Sequence, residues 1–443
     1  MKKLALTTLF TGVIALALAQ KVNQSSWQQQ VDYSIDVSLN DEMHTLLGEI
    51  TLTYHNNSPV DLNEMYIHLW PNAYANNETA FGKQMEENGD LDFYYAKEKD
   101  RGSIRNIVFF ANGEEIKWEY ASIDGKEHMD VAKLTLNTPI KSGEMRIIST
   151  PFQVKIPKVF SRLGHENQDY FITQWYPKPA VFDANGWNPM PYLNLGEFYS
   201  EFGKFEVNIT LPENYTLVAT GVCSTPGELS DTKRINSDTL LASSKSLKTV
   251  SFTASDVHDF AWFASKRWGY ETKRVLVGED EISLRVVGAV PDRKDLDHIQ
   301  TAIEYYSENV GPYPYSHATV VHGELKAGGG MEYPMITFNG YRPEPFEGSS
   351  EDDAESSENT DPKNTYSRRT KYGLIGVIIH EIGHIYFPMV VNSDERQWTW
   401  MDEGINSFLE YIAEFEWEED FPAYGNDTSV LDYITDYMLS ENQ

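Results

Sequence analysis

Cysteine is nearly absent: Cys223 stands alone among 443 residues. One thiol excludes an intramolecular disulfide framework and any cysteine-based zinc cluster. An isolated thiol is ordinarily inert. Basic residues are also scarce, 36 against 67 acidic, for a net charge of −31 with histidines neutral. A surface that negative repels phosphate backbones and anionic lipid headgroups, so nucleic acid and membrane surfaces are not the expected partners. Its plainest consequence is solubility. Long apolar runs are missing as well. Beyond the N-terminal stretch nothing approaches the roughly eighteen consecutive apolar residues of a membrane span. What is present, 41% hydrophobic and 13% aromatic content, is ample for packed cores and excludes wholesale disorder. The length suits two or three domains.

The N-terminus reads as an export signal. Lys2 and Lys3 precede a largely apolar run from Leu4 to Leu18, and Ala17-Leu18-Ala19 fits a small-x-small cleavage site. The expectation is a signal peptide over residues 1–19, a mature chain from Gln20, and a periplasmic or extracellular location. No cysteine follows the apolar run, which excludes a bacterial lipoprotein anchor.

Residues 31 to about 260 carry strand patterning. Val31, Tyr33, Ile35, Val37 and Leu39 alternate with polar residues, as do Ile50, Leu52 and Tyr54, then Met65, Ile67 and Leu69, and later Phe205, Val207, Ile209 and Leu211. Turn clusters such as Asn56-Asn57-Ser58-Pro59 and Asp183-Ala184-Asn185-Gly186 punctuate the runs. Helical spacing takes over afterwards: Leu296, Ile299, Ile303 and Tyr306 repeat with that period, as do Leu374, Ile375, Ile378 and Ile379, and Ile405, Phe408, Leu409 and Ile412. The fold class expected is α+β and multidomain. A β-rich antiparallel domain over 20–265 precedes a mixed domain over 266–443. Glu344 to Asp361 holds eight acidic residues and no basic one, the composition of a solvated loop.

The strongest signal is His380-Glu381-Ile382-Gly383-His384. On a helix, positions i and i+4 share a face, so both imidazoles reach one ion. Glu381 then stands close enough to accept a proton from water activated there. The apolar run before His380 buries this helix, where an unpaired His-Glu-His cluster is unfavourable and a metal ion relieves it. Two histidines leave zinc short of the three protein ligands a catalytic site uses. Eighteen residues separate His384 from Glu403, which stands in Trp400-Met401-Asp402-Glu403-Gly404 at the start of a second helical run. The amphipathic pattern from Ile405 is expected to pack Glu403 against the first helix.

H-E-x-x-H, eighteen residues and a Glu in a W-x-x-E-G setting resemble the gluzincin aminopeptidases related to aminopeptidase N. Upstream, Gly329-Gly330-Met331-Glu332-Tyr333 is similar to that family's G-x-M-E-N strand, with Glu332 standing 48 positions before His380. The resemblance implies a β-rich domain followed by a thermolysin-like catalytic domain, and one Zn²⁺ per chain on His380, His384 and Glu403. It further implies Glu381 as the base, and peptide substrates with a free N-terminus. The 329–333 strand would pair with substrate backbone, and Glu332 would hold the α-amino group. The residues agree in part, since Gly328, Gly329 and Gly330 allow close backbone approach and a carboxylate suits an ammonium. The resemblance also implies a pocket-lining glutamine, for which Gln174 in Thr173-Gln174-Trp175-Tyr176-Pro177 is the candidate.

Three departures stand out. Tyr333 and Asp402 occupy positions where the family commonly has Asn. The interval from Glu332 to His380 is longer than usual and contains the acidic segment. The family's oxyanion-stabilising tyrosine lies beyond the forty residues that follow Glu403, so Tyr424, Tyr433 and Tyr437 fall too early. The chain therefore reads as a fragment, with that tyrosine expected beyond residue 443. The rival readings are a zinc endopeptidase or other zinc hydrolase, and a binding protein that kept the fold. The intact H-E-x-x-H and Glu403 weigh against the last.

Overall fold

The computed structural model describes residues 27–225, 228, 241–288, 295–340, 368–418 and 421–422. The leader, the acidic segment 344–361, and Tyr424, Tyr433 and Tyr437 lie outside them.

The alternating runs of the first region form one large twisted sheet. Its centre is built from β1 (Gln30–Asn40), β2 (Thr45–His55), β3 (Met145–Lys155), β4 (Gly203–Pro212) and β5 (Leu247–Val257) in the order β5-β4-β1-β2-β3. Val31, Tyr33, Ile35, Val37 and Leu39 all point inward, as the two-residue period requires. The sheet is not purely antiparallel, contrary to the sequence expectation: β1 and β4 run parallel, Tyr33 beside Phe205 with rings stacked at 4.1 Å. These strands lie far apart in sequence, and the long connection between them leaves room for a parallel crossover. Two four-stranded sheets pack nearby. One contains Leu62–His68 and Lys126–Ile140; the other contains Asp169–Ile172 and Trp262–Ser265.

From Gly269 onward the strands join a separate five-stranded mixed sheet. It comprises β6 (Gly269–Val277), β7 (Asp280–Gly288), β8 (His317–Gly323), β9 (Glu332–Tyr333) and β10 (Ile336–Gly340), ordered β6-β7-β8-β10-β9. The β9–β10 hairpin turns through Pro334-Met335, where Met335 takes a positive φ of 67°. Tyr333 and Phe338 bury themselves against Phe263 and Phe171 of the first region, Phe171 and Phe338 stacking at 4.9 Å. One aromatic core thus spans both regions and fixes the hairpin, with Glu332 at the sheet edge.

Three helices complete the second region: α1 (Asp295–Asn309), α2 (Arg368–Gly383) and α3 (Glu403–Trp417). Ile299, Ile303 and Tyr306 of α1 form a core with Ile375, Ile378, Ile379 and Ile382 of α2. The 3.6-residue period of those side chains is why both segments are helical. No helix among the described residues is long and apolar enough to cross a membrane.

Candidate metal centre

His380 lies in the last turn of α2, His384 follows directly after that helix ends at Gly383, and Glu403 opens α3. Their facing atoms form a small triangle. Nε2 of His380 is 2.9 Å from Nε2 of His384 and 3.2 Å from Oε2 of Glu403; the remaining side, His384 Nε2 to Glu403 Oε2, is 3.7 Å. Four-coordinate zinc with ligands at about 2.0–2.1 Å sets its ligand atoms roughly 3.3 Å apart, so these edges fit it. The outer nitrogens agree. His380 Nδ1 stands 2.8 Å from Glu410 Oε2; His384 Nδ1 is 2.7 Å from the Phe387 carbonyl, with Asp402 Oδ1 at 2.9 Å. Both Nδ1 atoms are engaged on the outer side, and both Nε2 atoms face one another and the Glu403 carboxylate. A cation between them suits that arrangement.

Charges around the triangle are mutually dependent. Burial pulls His380 and His384 toward neutrality, but Glu410 and Asp402 outweigh it and raise both imidazoles well above the ordinary histidine value. Burial opposes ionisation of Glu403, yet the two histidines hold its carboxyl far below the usual range. Glu381 is buried, Oε2 lacks a hydrogen-bond partner, and burial pushes its pKa up to about 7.

Tight packing explains the small residues of the motifs. A Cβ on Gly330 would collide with the Glu381 carboxylate, so the glycine lets the 329–331 run pass directly over that side chain. A Cβ on Gly383 would strike Asn406 and the Tyr306 hydroxyl. Asn406 in turn donates to the His380 carbonyl at 2.8 Å, tying α3 to α2.

The structure brings Glu332 to the same place. Its carboxylate, that of Glu381 and a nitrogen of His384 lie within 4.8 Å of one another, and it forms a second such group with Glu197 and Glu395. Burial raises the Glu332 pKa well above the carboxylate range, with Glu197 and Asp402 adding to the effect against His384. A cavity of about 660 Å³ runs along these groups, lined by Gly329, Gly330, Met331, Glu332, His380, Glu381 and Glu403 among others. The backbone of 329–331 is tied down on one side only, Phe338 N donating to the Met331 carbonyl at 2.8 Å and Gly340 N to that of Gly329 at 3.0 Å.

Gln174 lies outside the lining of this cavity and borders a smaller pocket with Met331, Glu332, Tyr333 and Glu395. It accepts from the Tyr333 hydroxyl at 3.2 Å and donates to Asp259 at 3.4 Å. The tyrosine that replaces the resembled family's Asn reaches across and occupies that glutamine. One sequence expectation is corrected, that of α3. Its inward face is Asn406, Glu410, Ala413 and Glu414, while Phe408 is 58% exposed and Ile405, Leu409 and Ile412 are half-buried. The helix turns polar groups toward His380, so its apolar stripe covers only the flank.

Sequence reading missed Glu197, Arg162, Glu395, Glu410 and Glu414, and gave the Asp402 substitution no role. Glu410 follows Glu403 by seven positions and thus shares its helix face, a signal that was available. Glu197, paired with Arg162 at 3.0 Å, arrives from a distant loop without local signature.

Sequence comparison yields no matching family model and no matching curated protein. Solved structures do match. An M1 zinc metallopeptidase from Deinococcus radiodurans aligns with TM-score 0.55 at 16% identity, over 94% of this chain and 77% of that one. A point mutant of the M1 zinc metallopeptidase from that organism, bound to a Tyr-Ser-Ala substrate, aligns with TM-score 0.51 at 16% identity, over 89% and 73%. A point mutant of a two-domain M1 zinc metallopeptidase, bound to L-tryptophan, aligns with TM-score 0.53 at 16% identity, over 94% and 76%. The chain shares the fold of these M1 zinc metallopeptidases over nearly all its length.

Proposed function

We propose that this chain is an exported zinc aminopeptidase, removing residues from the free N-terminus of peptides. The observation that carries the reading is the triangle of 2.9, 3.2 and 3.7 Å among His380, His384 and Glu403, with both Nδ1 atoms engaged by oxygens on the outer side. The likeness of fold to M1 zinc metallopeptidases supports it. These three residues would hold zinc, which supplies a Lewis acid that polarises a carbonyl and acidifies water to a pKa near ~7.

The chain's own groups do the rest. Glu381 takes the proton of the attacking water and delivers it to the leaving amine, a transfer suited to a carboxylate whose pKa burial has moved to about 7. The one-sided backbone of 329–331 offers an edge on which an extended peptide pairs as an added strand. Glu332 binds the free ammonium beside Glu197 and Glu395, which sets the cut at the first bond. Glu410 and Asp402 hold the two histidines in the tautomer that ligates metal. The strands up to residue 265 serve as the flanking domain, and 266–443 as a thermolysin-like catalytic domain.

The test compares alanyl-p-nitroanilide with its N-acetylated form. The free amine is cleaved and the blocked one is not. Glu381→Gln retains zinc and loses at least ~10³ in kcat. Equal cleavage of both substrates, or full activity in the variant, overturns the reading.

A further inference from the structure

Six glutamates line the cavity, Glu197, Glu332, Glu381, Glu403, Glu410 and Glu414, against one arginine, Arg162. That arginine is bound to Glu197 at 3.0 Å. Glu332, Glu381 and Glu403 serve the amine, the proton and the metal in the reading above. Glu410 meets His380 through one oxygen, Oε2, which leaves its Oε1 over, and Glu414 has no role in that reading.

These two carboxylates converge on a bare patch of α2. An ideal Cβ on Gly376 would stand 2.8 Å from Oε1 of Glu414 and 3.8 Å from Oε1 of Glu410. Glu414 is only 3% exposed, its Oε2 has no partner among the described residues, and it lines the cavity. An anionic group so placed is unfavourable unless a cation reaches it. Burial beside Glu410 drives its carboxyl up to about 9, the mark of a missing counter-charge.

Position along α2 sets the direction. Gly376 precedes His380 by one turn, about 5.4 Å, whereas Glu332 clusters with Glu381 and His384 at the opposite end. The metal ligands therefore separate the ammonium anchor from the acidic pair. An extended peptide advances about 3.3 Å per residue. With its amine at Glu332 and its first carbonyl at the ligands, the next side chain falls toward Gly376.

We propose that Glu410 and Glu414 form a subsite for the lysine or arginine side chain of the residue that follows the scissile bond. This rests on the aminopeptidase reading and adds a substrate class to it: peptides with a basic second residue. The planar guanidinium fits two convergent carboxylates best.

The experiment measures kcat/KM for Ala-Arg-Ala against Ala-citrulline-Ala, which share shape and differ in charge. The native chain favours the arginine peptide by about 10-fold or more, the effect of roughly one charge-assisted contact. In Glu414→Gln the ratio falls to near 1. Gly376→Ala, whose Cβ displaces the Glu414 carboxylate, lowers it as well. A native ratio near 1, or an undiminished ratio in Glu414→Gln, overturns the subsite. Should both peptides resist hydrolysis, the aminopeptidase reading fails. The subsite is then read from calorimetric binding of the same peptides to zinc-loaded Glu381→Gln. Tighter binding of the arginine peptide upholds it, and equal binding overturns it.

Discussion

The two regions of this molecule treat buried charge in opposite ways. In the β-rich region buried cations stand beside carboxylates. Lys178 lies 3.3 Å from Asp259, which also accepts from the Tyr176 hydroxyl at 2.8 Å and its neighbouring Phe260 N–H at 2.7 Å. Lys266 reaches Asp41 at 3.1 Å, and Tyr215 donates to the same carboxylate at 2.7 Å. Around the metal centre the carboxylates outnumber their cations, and Oε2 of both Glu381 and Glu414 is unpartnered. Paired charges specify a core, whereas an acidic surplus attracts positive charge.

A chelator strips the metal proposed at His380, His384 and Glu403. Unfolding by denaturant then shows a loss of about 4 kcal/mol, as for a site filled a thousandfold above its Kd. An unchanged midpoint would place no cation there. Lys178→Met breaks a charge pair by leaving Asp259 buried and unpaired. The loss is about 3 kcal/mol, measured on the metal-loaded protein, with zinc content unaffected.

Glu414→Gln runs the other way. Removing an orphaned carboxylate stabilises the metal-free protein by about 2 kcal/mol at pH 7; destabilisation would show a partner that the geometry lacks. The smallest effect belongs to an exception in the first region. Glu201 is buried with Oε1 unpartnered, and burial lifts its pKa from the ordinary 4.5 to about 8. Between those values the folded chain holds a proton that the unfolded chain has released, so stability declines as pH rises. Its share is up to about 1 kcal/mol per pH unit, and Glu201→Gln flattens the curve by that amount between pH 6 and 7.

How much of this was legible in the sequence follows from how far each signal reaches. The spacing His380, His384 and Glu403 is carried by two helices, and periodicity alone places those side chains on facing surfaces. The strand alternation of Val31 to Leu39 and the helix period of Leu296 to Tyr306 are equally local, and both elements are present. The inward face of α3 is not legible because Ile405, Phe408, Leu409 and Ile412 make the stronger apolar stripe, while packing against His380 and its carbonyl selects Asn406 and Glu410. Glu197 and Arg162 meet only through tertiary folding, as do Gln174 and Tyr333. No single-sequence pattern encodes such pairs.

Elemental analysis of the purified chain beside His384→Ala tests the central claim most directly. The account requires one zinc per native chain and its loss in the variant, with the fold retained by circular dichroism. A native chain free of transition metal, or a variant that binds zinc equally well, would contradict it.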